Sequence, residues 1–400
     1  MAACSSCVVF DPTLTTYDFG PTHPMNPIRV DLTVRLAEQL RVVGDGAMPL
    51  VAAPHATDAD LLTVHTADLI EAVRRTSVDP ADIQPELGLG TDDNPTFAGM
   101  HEAARHVVGA SLEAARMVWE GEVSHAANIA GGLHHAMPGR ASGFCVYNDV
   151  AVAIRWLLAQ GAKRVVYVDV DVHHGDGVEQ VFWDDPRVLT ISLHETGQML
   201  FPGTGFAHDL GGPDAEGSAV NVALPPGTGD AGWLRAFHAV VPPLVREFAP
   251  DVLVTQHGCD SHMSDPLAHL MLSVDGQRAA YQTLHDLAHE VTGGRWVVTG
   301  GGGYAIVEVV PRAWTHLLGE LAGEPVAPGT VIPEAWREEV RSRGLRAAPP
   351  KVMTELNSGA DRISWQPWQP GEDTPLSRAI TATRRAVFPL HGLDPDDPRD

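Results

Sequence analysis

VVYVDVDVHHGDG (165–177) is the stretch on which the fold reading turns. Val165, Val166, Tyr167 and Val168 suit a β-strand covered on both faces. Asp169, Asp171 and His173 then recur at every second position. In an extended chain, residues i, i+2 and i+4 project to one side. Two carboxylates and an imidazole therefore gather at the end of a buried strand. A purely structural segment gains little from this, because each buried charge must be paired or neutralised.

Working outward, segments of strand character alternate with segments of helical period. Residues 7–10, 188–193, 220–224, 252–256 and 296–299 read as strands beside 165–170. Residues 27–43, 95–120, 149–160, 231–248, 276–291 and 305–318 read as helices. Pro242-Pro243 is expected to interrupt or bend the fourth of these, and Pro311 lies inside the last. The alternation predicts an α/β fold with a central, mostly parallel sheet flanked by helices. No internal repeat is visible, and the pattern weakens after Leu321. Residues 325–350 and 365–375 are rich in proline and charge. The expectation is one domain over 1–322 and an extension over 323–400 packing on it, with an apolar stretch at 386–390.

At 400 residues the chain is long for a single domain, and 44% hydrophobic residues allow a large core and exclude wholesale disorder. No apolar run approaches the roughly 20 residues that span a bilayer. The start, MAACSSCVVFDPT, has no basic segment followed by a long apolar one, so a cytoplasmic location is expected. A formal net charge of −24 argues against binding nucleic acid or an anionic membrane. It tolerates cationic partners such as lysine-rich peptides or polyamines, although solubility alone accounts for it. Cys4 and Cys7 form a lone C-x-x-C without a second pair, which supports neither a zinc site nor a redox motif.

Ligands of open parallel sheets bind outside the carboxyl ends of the strands. The strand at 165–170 runs into the segment ending at Asp176, VLVTQHGCD ends in Asp260, and WVVTGGGGY ends in four glycines and Tyr304. NIAGGLHHAMPGRASGF adds His134 and His135 in a glycine-rich loop. Asp171, His173 and Asp260 supply two oxygens and a nitrogen, leaving an open place for water as catalytic Zn²⁺ requires. Fe²⁺ also suits this hard donor set. The rival reading makes these aspartates turn and helix-cap residues. Of the two histidines, one would take a proton from water and the other orient it or donate to a leaving group, with Asp169 and Asp176 fixing the rings. Tyr304 would donate to an oxyanion. The glycines before it match no phosphate-binding pattern. Phe144 and Phe201 either line a slot for an aliphatic chain or pack in the core.

GGLHHA, SGFCVYND, DVDVHHGDGVEQVF, SLHE…FPGTG, QHGCD and GGGGY, in this order, resemble the histone deacetylase superfamily. The nearest resemblance is to the bacterial acetoin-utilisation, class I-like deacetylases, supported by FGPTHPMNPIRV, DSHMSDPLAHL and RAVFPLHGL. It implies a single arginase/deacetylase-type α/β domain and a metal-dependent lysine deacetylase acting on acetylated proteins or peptides. Zn²⁺ would sit on Asp171, His173 and Asp260. His134 and His135 would be the acid–base pair backed by Asp169 and Asp176, and Tyr304 would polarise the acetyl carbonyl. Gly143, Phe144, Phe201 and Leu267 would line the acyl-lysine tunnel, with Asp93 at its rim. Structural K⁺ would fall on Asp169, Asp171, His173, Ser192 and Leu193, and near Phe182 and Val188. Arg29 would line an internal acetate cavity. Leu200 departs from the aromatic that many relatives carry there, and the roles of Cys259 and His262 stay open, as does the oligomeric state. The rival activities are acetylpolyamine hydrolysis, an arginase-like ureohydrolase with two Mn²⁺, and non-catalytic acyl-lysine binding. The second wants an aspartate where His262 stands.

Overall fold

The computed structural model describes residues 5–355 and 363–400, so Cys4 lies outside the described residues. The apolar runs become strands β1 (Ser6–Val9), β2 (Leu50–Val51), β3 (His125–Asn128), β4 (Val165–Asp169), β5 (Val188–Glu195), β6 (Ala219–Leu224), β7 (Val252–Gln256) and β8 (Trp296–Thr299). They form one sheet in the order β2-β1-β3-β8-β7-β4-β5-β6, and every strand pairing among the described residues is parallel. Strands β4, β7 and β8 are buried at every residue, as expected of central strands with helices on both faces.

The helices are α1 (Ile28–Gln39), α2 (Asp58–Leu61), α3 (Ala67–Val78), α4 (Met100–Trp119), α5 (Asp149–Ala159), α6 (Asp176–Phe182), α7 (Asp230–Phe248), α8 (Val274–Thr292), α9 (Val310–Leu321), α10 (Glu334–Ser342) and α11 (Pro375–Val387). Helix α7 is not interrupted: it runs through Pro242 and Pro243, with Trp233, Phe237, Val241, Leu244 and Val245 buried along it. Packing of that apolar face outweighs the lost backbone bonds. Helix α9 begins later than residue 305, and Pro311 sits in its first turn, where a missing N–H needs no partner.

Past Leu321 the chain stays on the same body. The Trp336 indole of α10 donates to the Leu32 carbonyl of α1 at 2.9 Å, inside a small core with Leu36, Val307, Val340 and Met353. Glu355 accepts from the Val274 N–H at 2.9 Å and pairs with Arg312 of α9. On α11, the Thr383 hydroxyl donates to the Asn221 carbonyl of edge strand β6 at 2.6 Å, which covers that edge. The buried Arg384 donates to the carbonyls of Ala239 (2.6 Å), Asp397 (2.7 Å) and Pro395 (2.9 Å), its guanidinium 4.1 Å from the Phe388 ring centre.

Candidate active site

Four neighbouring strands, β3, β8, β7 and β4, send their carboxyl ends to one rim. Asp169 closes β4, and the chain passes Asp171 and His173 before α6 opens at Asp176. Asp260 follows β7, Tyr304 follows β8, and the loop from β3 to α5 carries His134 and His135. That loop is pinned from below. The Asp149 carboxylate accepts from the Gly132 and Leu133 N–H groups at 3.0 and 2.7 Å, and the Asn148 amide donates to the Ala136 carbonyl at 3.0 Å.

Asp171, His173 and Asp260 come together with ligand-type atoms within 4.8 Å of one another, all buried. His173 Nδ1 lies 3.0 Å from Asp171 Oδ1 and 3.1 Å from Asp260 Oδ2. Each carboxylate is also held from outside the triad. Asp171 Oδ2 accepts from the Gly302 N–H at 2.7 Å and the Gln256 amide at 2.8 Å, and Asp260 Oδ1 from the Val172 N–H at 2.9 Å. Burial and the Asp171 charge push Asp260 up to about 7. Two carboxylates this close resist joint ionisation without a cation between them. The glycine run before Tyr304 serves close approach: a Cβ at Gly302 would lie 1.9 Å from Asp260 Oδ2.

The adjacent imidazoles are each backed by a carboxylate at 2.7 Å, His134 Nδ1 by Asp169 and His135 Nδ1 by Asp176. Their Nε2 atoms are 3.1 Å apart. Burial opposes charge on both rings. At His134 it is outweighed by Asp169 and Asp171, which raise the ring to about 9. At His135 burial is reinforced by the His134 charge, and the ring falls to about 4. The two rings are thus pushed in opposite directions.

Above them opens a pocket of about 200 Å³. His135, His173 and Tyr304 form its reactive lining, and Gly143, Phe144, Leu200, Phe201 and Leu267 its walls, with the exposed Asp93 also bordering it. Gly143 is tight for a reason: a Cβ there would come within 2.5 Å of the His135 ring and 2.9 Å of Phe201. Phe144 has φ 68°, a strained backbone for a bulky residue, held by the Tyr17 hydroxyl donating to its carbonyl at 2.8 Å. The Tyr304 N–H donates to Asp265 at 2.8 Å, and burial lifts its phenol well above the ordinary range, so it stays a donor.

The remaining expected residues lie around this centre. Asp169 pairs in register with Ser192 of β5, Leu193 follows it, and Val188 opens the same strand, joined to Phe182 by a turn. Arg29 is buried behind the glycine loop, donating to the Gly303 carbonyl at 3.0 Å. Cys259 is buried beside it. His262 turns away from the pocket: it accepts from the Ser264 N–H at 3.0 Å and lies 3.4 Å from Glu355. Cys7 packs in β1 with its thiol pushed up to about 12, chiefly by burial, so it is not a reactive thiol.

Residues 23–321 match the histone deacetylase domain. The chain belongs to the histone deacetylase family. Among similar histone deacetylase family sequences, the acetoin utilization protein AcuC of Bacillus subtilis (strain 168) is 44% identical over 333 residues, covering 83% of this chain and 85% of that protein. The AcuC of Staphylococcus xylosus is 37% identical over 331 residues, 82% of this chain and 85% of that protein. The crystal structure of the HDA15 HD domain has a TM-score of 0.71 at 31% identity, over 81% of this chain and 91% of that chain.

In this histone deacetylase family chain, several supporting residues escape the sequence reading. Gln256 is visible only as the Q of QHGCD, and its hold on Asp171 appears once β7 is placed beside β4. Asp149, Asp265 and Tyr17 act from other segments, so no local spacing marks them. Among the described residues, no helix is long and apolar enough to cross a membrane.

Proposed function

We propose that this histone deacetylase family hydrolase, similar to AcuC, is a Zn²⁺-dependent amidohydrolase that removes acetyl groups from lysine side chains of proteins or peptides. The observation that supports this above all others is the meeting of His135, Tyr304 and His173 in one pocket with apolar walls. The donor set fits a divalent ion. Two carboxylates and an imidazole neutralise its charge, and the ion would relieve the repulsion that lifts Asp260. Zn²⁺ held by Asp171, His173 and Asp260 would supply Lewis acidity for water and the acyl carbonyl, and Fe²⁺ suits the same atoms.

This chain's own residues do the rest. Phe144 and Phe201 flank the lysine stem, with Leu200 and Leu267 completing the wall and Gly143 leaving room for the chain. Asp93, exposed at the pocket, accepts from the substrate backbone. The Tyr304 hydroxyl donates to the carbonyl oxygen as negative charge develops there. His135 borders the pocket and His134 stands behind it, so His135 is the group that reaches water and the departing amine. Asp176 and Asp169 hold the two rings in orientation. Structural K⁺ near Asp169, Asp171, His173, Ser192 and Leu193, and near Phe182 and Val188, belongs to the same reading, as does an acetate path past Arg29. So does a deacetylase domain over 1–322 carrying 323–400 as its extension. Free, buried Cys7, Cys145 and Cys259 suit a reducing cytoplasm.

The test compares the Zn²⁺-loaded full chain on an acetyl-lysine peptide, acetylputrescine and acetylspermidine. Acetate release from the peptide, abolished in His135→Ala, is expected. Hydrolysis of the polyamines alone would move the substrate to that class, and no release from any of the three would overturn the proposal.

A further inference from the structure

At the opposite end of β3 from the active-site loop, three more histidines converge. His125 opens the strand, and His285 and His289 stand one turn apart on the same side of α8. Their Nε2 atoms close a triangle with edges of 3.2 Å (His125–His289), 3.2 Å (His285–His125) and 3.1 Å (His289–His285). Hydrogen bonding cannot satisfy it. An imidazole Nε2 carries either one proton or one lone pair, so at most two of three mutual contacts can be donor–acceptor pairs. A cation shared by three lone pairs resolves all of them. The edges also suit one: nitrogens about 2.0–2.1 Å from a tetrahedral Zn²⁺ lie about 3.3 Å apart.

The surroundings support the arrangement. The His285 ring stacks on Trp296, the first residue of β8, and His125 meets the same indole edge-on, centres 5.7 and 5.5 Å apart. The indole N–H is itself fixed, donating to Thr255 Oγ1 at 2.8 Å. His125 is buried, His285 half-buried and His289 exposed, which gives an ion a route from solvent and a face open to water. Asp286 adds a negative charge near His285.

We propose that His125, His285 and His289 form a second transition-metal site, taking Zn²⁺ or Co²⁺, with solvent in the fourth position. The ion ties the start of β3 to the C-terminal half of α8, a structural role independent of the active site.

The test uses tag-free, full-length protein stripped by a chelator and titrated with Zn²⁺ and with Co²⁺. The wild type is expected to bind one equivalent more than His285→Gln/His289→Gln, whose acetate-releasing activity stays at the wild-type level. An Asp260→Asn protein keeps the histidine cluster and is expected to retain one equivalent. Its Co²⁺ form should show the absorption bands of a tetrahedral nitrogen site, lost when His285→Gln/His289→Gln is added. Zn²⁺ should raise the Tm of the wild type more than that of the double variant. Equal binding by wild type and double variant, or no bound metal in Asp260→Asn, would overturn the assignment.

Discussion

At the carboxyl end of the sheet, both carboxylates of the Asp171, His173 and Asp260 group are held by donors from outside it: Gly302 and Gln256 on one, Val172 on the other. At the amino end, His125, His285 and His289 face one another and the Trp296 indole. The first group contains two carboxylates and is buried throughout, whereas the second has none among its members and opens to solvent at His289. The difference teaches what separates a reactive centre from a clamp. A centre that must hold an ion in one geometry while bonds change needs its ligands oriented from behind. A clamp needs only converging lone pairs.

Substitutions can break this contrast at several strengths. On the proposed function, the largest effect is expected from Asp260→Asn: at least about a 10³-fold loss of kcat/KM on an acetyl-lysine peptide, because the proposed ion would lose a ligand. On the same proposal, Tyr304→Phe should lower kcat by about 10²–10³-fold with bound metal unchanged, since only the proposed donor to the developing oxyanion would be removed.

Glu355→Gln tests how far support for the rim extends into the C-terminal segment. Burial would raise this carboxyl, but His262 and Arg312 hold it down at about 2. A folded value below the unfolded one stabilises above the unfolded pKa, and the contribution is lost as pH falls through the folded value. Because Glu355 is open to solvent on one side, screening reduces the effect: the variant should be less stable by about 1 kcal/mol at pH 7, and the gap should close between about pH 4.5 and 2 in urea titrations.

Gln256→Ala sharpens the comparison directly. Zn²⁺ affinity at the active site should weaken by about 10–100-fold, with the histidine triangle unaffected, as competition with a chelator would measure. Leu200→Phe should have the smallest effect, below about tenfold in kcat/KM, read as a changed preference among acyl chain lengths.

The central strands were legible because their apolar runs are continuous, and Asp171, His173 and Asp260 because their residue types fall just past such runs. Strand β3 was not: His-Ala-Ala-Asn lacks the branched and aromatic residues that favour strands, and it forms because β1 and β8 flank it. Missing β3 also hid the histidine triangle, whose members lie 160 residues or more apart across the β3–α8 contact. Helices α10 and α11 sit among prolines and charges that mask their apolar stripes, so the packing of the last segment emerged only with Trp336 and Thr383 in place.

Arg384 has one further consequence. Its guanidinium is sealed inside and answered by carbonyls from 395 and 397. Clipping the polypeptide before residue 394 would leave that buried cation only the Ala239 carbonyl as acceptor, a defect worth roughly 1–3 kcal/mol. Limited proteolysis of the tail would thus be felt as melting of the edge formed by β6 and α7, far from the cut surface in sequence but next to it in space.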